Sequence, residues 1–203
     1  MDRILYDSYL DILREELIPA MGCTEPIAVA YAAAIARDTL GCMPDSTELI
    51  VSGNIVKNVK SVVVPNTGGR KGLRTAVAAG LCFGKAEKEL EVIADATEQD
   101  LAGLDAYLRT ADITLKEADS NQPFDLAVLL HKGSDSAYVH IVSHHTNVVC
   151  IRKNDTVILE KPFTDDTIQV PENRKLLSVE HIVEFADTVD IEDVRPILQR
   201  QID

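Results

Sequence analysis

The stretch LAVLLHKGSDSAYVHIVSHHTNVVCIRKNDTVILE, residues 126–160, decides the fold. It holds four strand-like runs: Leu126 to His131, Ala137 to Ser143, Asn147 to Arg152 and Thr156 to Glu160. Only Lys132-Gly133-Ser134, His145-Thr146 and Lys153-Asn154-Asp155 separate them. Links this short suit hairpins and cannot hold the crossover helices that neighbouring parallel strands need. The pattern therefore predicts an antiparallel meander and argues against a purely parallel, Rossmann-like sheet.

Upstream, Ile113 to Lys116 reads as one more strand, and Leu101, Leu104 and Leu108 mark a helix whose acidic first turn contains Glu98 and Asp100. Leu73, Val77 and Leu81 mark another helix. Glu48 to Ser52 and Val59 to Val64 are β-branched and predict two strands, joined or interrupted by Gly53-Asn54-Ile55-Val56-Lys57-Asn58. The alanine-rich run Thr24 to Leu40 predicts a helix buried on several sides, with Thr24 as N-cap, Pro26 in the first turn and Gly41 closing it. Leu5, Tyr9, Ile12, Leu13 and Leu17 give an amphipathic first helix.

Downstream, Pro162 to Pro171 reads as a polar linker. Helical spacing then returns at Val179, Ile182, Val183 and Ala186, and again at Ile191, Val194, Leu198 and Ile202, with Pro196 as a kink or fresh start. The expected class is α+β: a mixed or antiparallel sheet with packed helices (45–170), inserted between an N-terminal helical segment (1–44) and the start of a C-terminal helical domain (171–203). The apolar periodicity still runs at Ile202 without a glycine cap or polar tail, so the expectation is a chain truncated within that last domain.

At 203 residues, 46% hydrophobic and 26% charged, the composition is that of an ordinary globular protein. No long apolar run and no secretory leader is read from it, which sets the expected compartment as the cytoplasm and excludes a membrane partner. Thirty-three acidic against twenty basic residues give a formal charge of −13. Such a field repels phosphate backbones, and the densest basic stretch, Gly69 to Arg74, holds only three cations, so nucleic acid is excluded as a partner. Cys23, Cys42, Cys82 and Cys150 form no CxxC pair, which rules out a local zinc knuckle or ferredoxin-type loop and leaves free thiols as the default.

Cys23 is the leading chemical candidate, because Gly22-Cys23-Thr24-Glu25-Pro26 sets its thiol beside a helix N-terminus. Free amides and the helix dipole there favour thiolate by about 0.3 to 1 kcal/mol, while Glu25 opposes it. Such a thiolate could be nucleophile, base or iron ligand; a structural cysteine is the bland alternative. Asn54, Lys57 and Asn58 offer amides and an ammonium suited to a small zwitterion, against the plainer reading of a strand-edge turn. Asn66 and Thr67, in the loop running into Arg70, Lys71 and Gly72, could receive a carboxylate or simply start a helix. Alternation along the strand from Ala137 places only one imidazole of His144 and His145 on the side shared with His140 and Val142, so the pair is not a two-ligand chelate; two surface histidines are the plainer alternative.

Three blocks together, Met21-Gly22-Cys23-Thr24-Glu25-Pro26, Ser52 to Asn58 and Val64-Pro65-Asn66-Thr67-Gly68, resemble the L-cysteine desulfidase family, related to the alpha chain of iron-sulfur L-serine dehydratases. The resemblance covers roughly the N-terminal half of such proteins. It implies a lyase that eliminates sulfide or water from L-cysteine or L-serine, ending in pyruvate and ammonia. It also implies a [4Fe-4S] cluster in the full-length protein, with Cys23 as cluster ligand or proton-handling residue. Asn54, Lys57, Asn58, Asn66, Thr67 and His144 are the expected substrate contacts. Cys42, Cys82 and Cys150 do not match the family's downstream ligands, so the fragment alone is expected to lack the cluster and activity. The expected partners are a small amino-acid substrate and the missing C-terminal helical region or a complementary subunit, with a homodimer compatible. The rival readings are a noncatalytic amino-acid sensor and a structural partner of a separate catalytic chain.

Overall fold

The structure, a computed structural model, describes residues 1–162 and 172–199. It is α+β, with one six-stranded mixed sheet and flanking helices. The strands are β1 (Ser46–Val51), β2 (Asp112–Glu117), β3 (Asp125–Lys132), β4 (Asp135–Val142), β5 (Val148–Lys153) and β6 (Thr156–Glu160), in the order β2-β1-β3-β4-β5-β6. β3 to β6 form the expected meander, every neighbouring pair antiparallel. β1 joins β3 antiparallel and β2 parallel. The long connection between β1 and β2 supplies the crossover that a parallel pair requires.

Two compact units divide the chain: Ala20–Asp165 in one, and Met1–Pro19 with Asp166–Asp203 in the other. The larger contains the sheet and α2 (Thr24–Leu40), α3 (Gly53–Val59), α4 (Gly72–Phe83), a short 3-10 helix (Ala86–Glu91) and α5 (Glu98–Thr110). α2 packs against β3, β4 and β5, and α4 packs beside α2. Leu49, Val51, Leu126, Val128, Leu130, Val139 and Ile141 are sealed beneath these helices. α2 is buried from Pro26 to Ala34, as its all-round alanine predicts. Its small side chains let α4 approach so closely that a Cβ on Gly80 would lie 2.1 Å from the Ala30 carbonyl oxygen.

The smaller unit holds α1 (Arg3–Glu16), α6 (Glu172–Lys175), α7 (Val179–Thr188) and α8 (Ile191–Gln199). Its own core is Leu5, Tyr9, Leu10, Phe185, Val194 and Ile197, with the Tyr9 and Phe185 rings 5.3 Å apart. Pro196 lies within α8 rather than breaking it. The expected linker lies outside the described residues from 163 to 171, as does Ile202. No helix among the described residues is long and apolar enough to cross a membrane.

Two local expectations are corrected. The strand predicted from Val59 to Val64 is absent; the preceding bend is α3, and the β-branched residues that follow make only a single bridge, Val63 to Lys71. Ile55 and Val59, four residues apart and both buried, supply a helical face that overrides β propensity. Thr24 is the first helical residue rather than the N-cap: Cys23 occupies the cap position, in an extended conformation and with no side-chain cap bond.

Candidate functional site

Three parts of the larger unit meet around the first turn of α2. Gly22, with φ of 103°, turns the chain so that Cys23 enters the cap position. The Cys23 thiol donates to Glu25 Oε2 at 3.1 Å. Glu25 Oε1 accepts from Asn58 Nδ2, on the last turn of α3, at 3.3 Å. Thr24 Oγ1 lies 3.0 Å from His145 Nε2, in the loop after β4, and the His145 ring sits 4.5 Å from that of Phe124. Cys23, Thr24, Glu25 and His145 are half-buried, whereas Asn58 is exposed.

This arrangement sets the protonation states. Burial, then the hydrogen bond to Glu25 and its charge, push the Cys23 thiol up from its ordinary value. For Glu25 burial acts upward as well. Hydrogen bonds from Cys23, a backbone amide and Asn58, with His145 nearby, outweigh it and hold the carboxyl below the usual range. Burial lowers His145, against the opposing pull of Glu25. The resting cluster is thus a neutral thiol, an ionised carboxylate and a neutral imidazole. The thiolate that a helix N-terminus favours is not the resting form, because burial and the carboxylate exceed that modest dipole effect.

The other sequence candidates divide. Asn54 and Asn58 are one turn apart on α3, so they share a face, and Asn54 and Lys57 are exposed there. Thr67 is fully buried, its hydroxyl donating to the Val64 and Arg70 carbonyls at 2.7 and 3.3 Å. Asn66 donates through Nδ2 to the Ala94 carbonyl at 2.9 Å. Arg70, the neighbouring cation, is held by Asp105, with Nε to Oδ1 2.7 Å. These groups build their own loop, and none of these hydrogen bonds reaches the Cys23 cluster. His144 is exposed, and His145 faces α2 instead. β4 ends at Val142 and Ser143 takes a left-handed conformation, φ 68°, which ends the strand alternation before the histidines. The adjacent histidines were visible in the sequence; no local signal gave the backbone reversal that selects one.

A [4Fe-4S] cluster does not fit the four cysteines as placed. Cys42 is exposed just past the far end of α2, about 25 Å from Cys23 by helix rise. Cys82 is half-buried, its thiol pushed up to about 11 by burial, and Cys150 is buried within β5. No group of three histidine, cysteine, aspartate or glutamate side chains among the described residues could hold a metal ion. A shallow cavity of about 300 Å³, lined by Leu129, Ser136, Tyr138, Arg152 and Asn154, shares no residue with the Cys23 cluster.

The chain is 48% identical over 198 residues to a protein of Desulfitobacterium hafniense, matching 98% of this chain and 46% of the relative. Against a Treponema denticola protein it is 42% identical over 204 residues, all of this chain and 47% of the relative. A Vibrio parahaemolyticus protein is 38% identical over 197 residues, 96% of this chain and 46% of the relative. These relatives are named UPF0597 proteins. That finding corrects the family expectation from the motifs, since none of the relatives carries a desulfidase or serine dehydratase name. Three short blocks weigh less than identity spread along nearly the whole chain. The chain spans about half the length of the curated UPF0597 relatives it matches. No family model and no solved structure matches it.

Proposed function

We propose that this chain supplies the acid–base face of a cytoplasmic amino-acid lyase that performs β-elimination on L-cysteine or L-serine, giving pyruvate and ammonia. The observation that carries this reading is the Cys23 thiol donating to an ionised Glu25 that Asn58 also holds. β-Elimination needs a base for the α-proton and an acid for the departing β-substituent, and a thiol–carboxylate pair offers both. In this reading Glu25 takes the α-proton while the Cys23 thiol protonates the leaving hydrosulfide or hydroxide. The proton on Glu25 then returns to the Cys23 thiolate, restoring the resting pair. The 2-aminoacrylate released hydrolyses to pyruvate and ammonia. Lys57 and Asn54, exposed on the same short helix as Asn58, are suited to the substrate carboxylate.

The iron-sulfur part of the reading rests on Cys23 alone. Because the four cysteines here do not surround a cluster, no step is routed through one; the remaining ligands belong to the rest of a protein of the relatives' length. The test is pyruvate release from L-cysteine and L-serine by the full-length protein after anaerobic iron-sulfur reconstitution. Glu25→Gln and Cys23→Ala should each lower kcat by about a hundredfold or more while far-ultraviolet circular dichroism is retained. Turnover unchanged in both variants would overturn the assignment. Specific heat on titrating either amino acid, without any pyruvate, would identify a sensor instead.

A further inference from the structure

The cavity of about 300 Å³ lies on the sheet face turned away from α2. Ala137, Val139 and Ile141 of β4 are buried beneath the helices, so Ser136 and Tyr138 point to the opposite side. Register carries a row across that face: Glu48 stands opposite Leu129, Leu129 opposite Tyr138, and Tyr138 opposite Arg152. Leu129 and Tyr138 are half-buried and give the cavity an apolar floor. Arg152 is exposed at its rim, the guanidinium 5.6 Å from the centroid of the Tyr138 ring, which holds it over the cavity. Asn154 closes one end. Its Oδ1 accepts from the Ser136 amide at 2.7 Å and its Nδ2 donates to Asp135 at 3.2 Å, so it serves as wall.

We propose that this cavity binds a small monocarboxylate with a flat apolar body. Arg152 approaches a carboxylate, Glu160, only at 4.0 Å, across exposed surface where an ion pair contributes little. Cys150, two residues back on the same face, is its other close partner. A guanidinium has five donors, which leaves a planar fork for a bidentate carboxylate. The remaining acid of the row, Glu48, is already bridged by Lys116 at 2.6 Å and does not compete for Arg152. One guanidinium balances one negative charge, and the chain's net charge of −13 opposes a second, so a carboxylate is selected over a phosphate ester. The volume stands at the small end of ligand sites, which suits a single ring lying on Leu129 and Tyr138 and excludes a nucleotide. This site shares no residue with the Cys23 cluster and stands apart from the lyase reading.

Titration of the 203-residue chain with benzoate, followed by backbone amide chemical shifts, tests the proposal. Shifts should centre on Leu129, Tyr138 and Arg152, with a Kd of about 1 mM or tighter. Benzamide, the neutral counterpart, and phenyl phosphate should each bind about tenfold more weakly. Arg152→Gln should weaken benzoate about tenfold, whereas Glu160→Gln should strengthen it about twofold by removing the rival carboxylate. Both positions are exposed, and circular dichroism checks that each variant folds. Absence of shifts at those residues overturns the proposal, as does benzamide matching benzoate, phenyl phosphate exceeding it, or benzoate affinity unchanged in Arg152→Gln.

Discussion

Cys23 and Glu25 share one proton, and the surroundings of each decide where it rests. Removing the carboxylate charge should release the thiol. In a Cys42→Ser background, which silences the exposed cysteine, Glu25→Gln should speed alkylation of Cys23 several-fold at mildly alkaline pH. An unchanged rate would show that burial alone holds the thiol neutral. His145 gives a second prediction at this scale. Its folded value lies below the ordinary one of roughly 6.5, so between the two the unfolded chain binds more protons. The stability it contributes is present above that ordinary value and is lost as pH falls through the window beneath it. Urea midpoints measured between neutral and mildly acidic pH should therefore fall, and fall less steeply in His145→Gln. The sequence offered Cys23, Asn58 and two histidines as candidates. It could not show that Thr24 reaches His145, because that pair is separated by more than a hundred positions and meets only after the sheet and α2 pack.

At the scale of elements, the close approach of α2 and α4 is the most exacting feature. Gly80→Ala would drive a methyl into the Ala30 backbone of the neighbouring helix, which no rotamer relieves. The expected loss is about 3 kcal/mol or more of unfolding free energy, read by chemical denaturation. Loss of the α5 cap should cost less. Thr97 and Asp100 satisfy each other's backbone amides in a capping box, so Thr97→Ala is expected to cost about 1 kcal/mol by the same measurement. Most elements were legible because each carries its own period: alanine throughout α2, alternation along β4, and acidic residues opening α5. α3 was not legible as a helix. Gly53 and two asparagines disguise it as a turn, and its helical character depends on core contacts made by Ile55 and Val59.

At the scale of the molecule, the larger unit owns a continuous core under the sheet, whereas the smaller one rests on six buried apolar residues among those described. Amides of α7 and α8 should therefore exchange with solvent well before those of β3 and β4 in native-state hydrogen exchange. Equal protection throughout would show that the units unfold as one. The amino-acid sequence by itself determined the class of the fold, the antiparallel meander and the buried alanine helix. These follow from spacing and turn chemistry within a few residues of one another. Only the tertiary structure decided that β1 and β2 run parallel, that His145 rather than His144 faces α2, that Asn66 and Thr67 are consumed by their own loop, and that no three cysteines gather around a common point. Each of those outcomes depends on which distant backbones pack together, and burial there overrules the local preferences of the residues concerned.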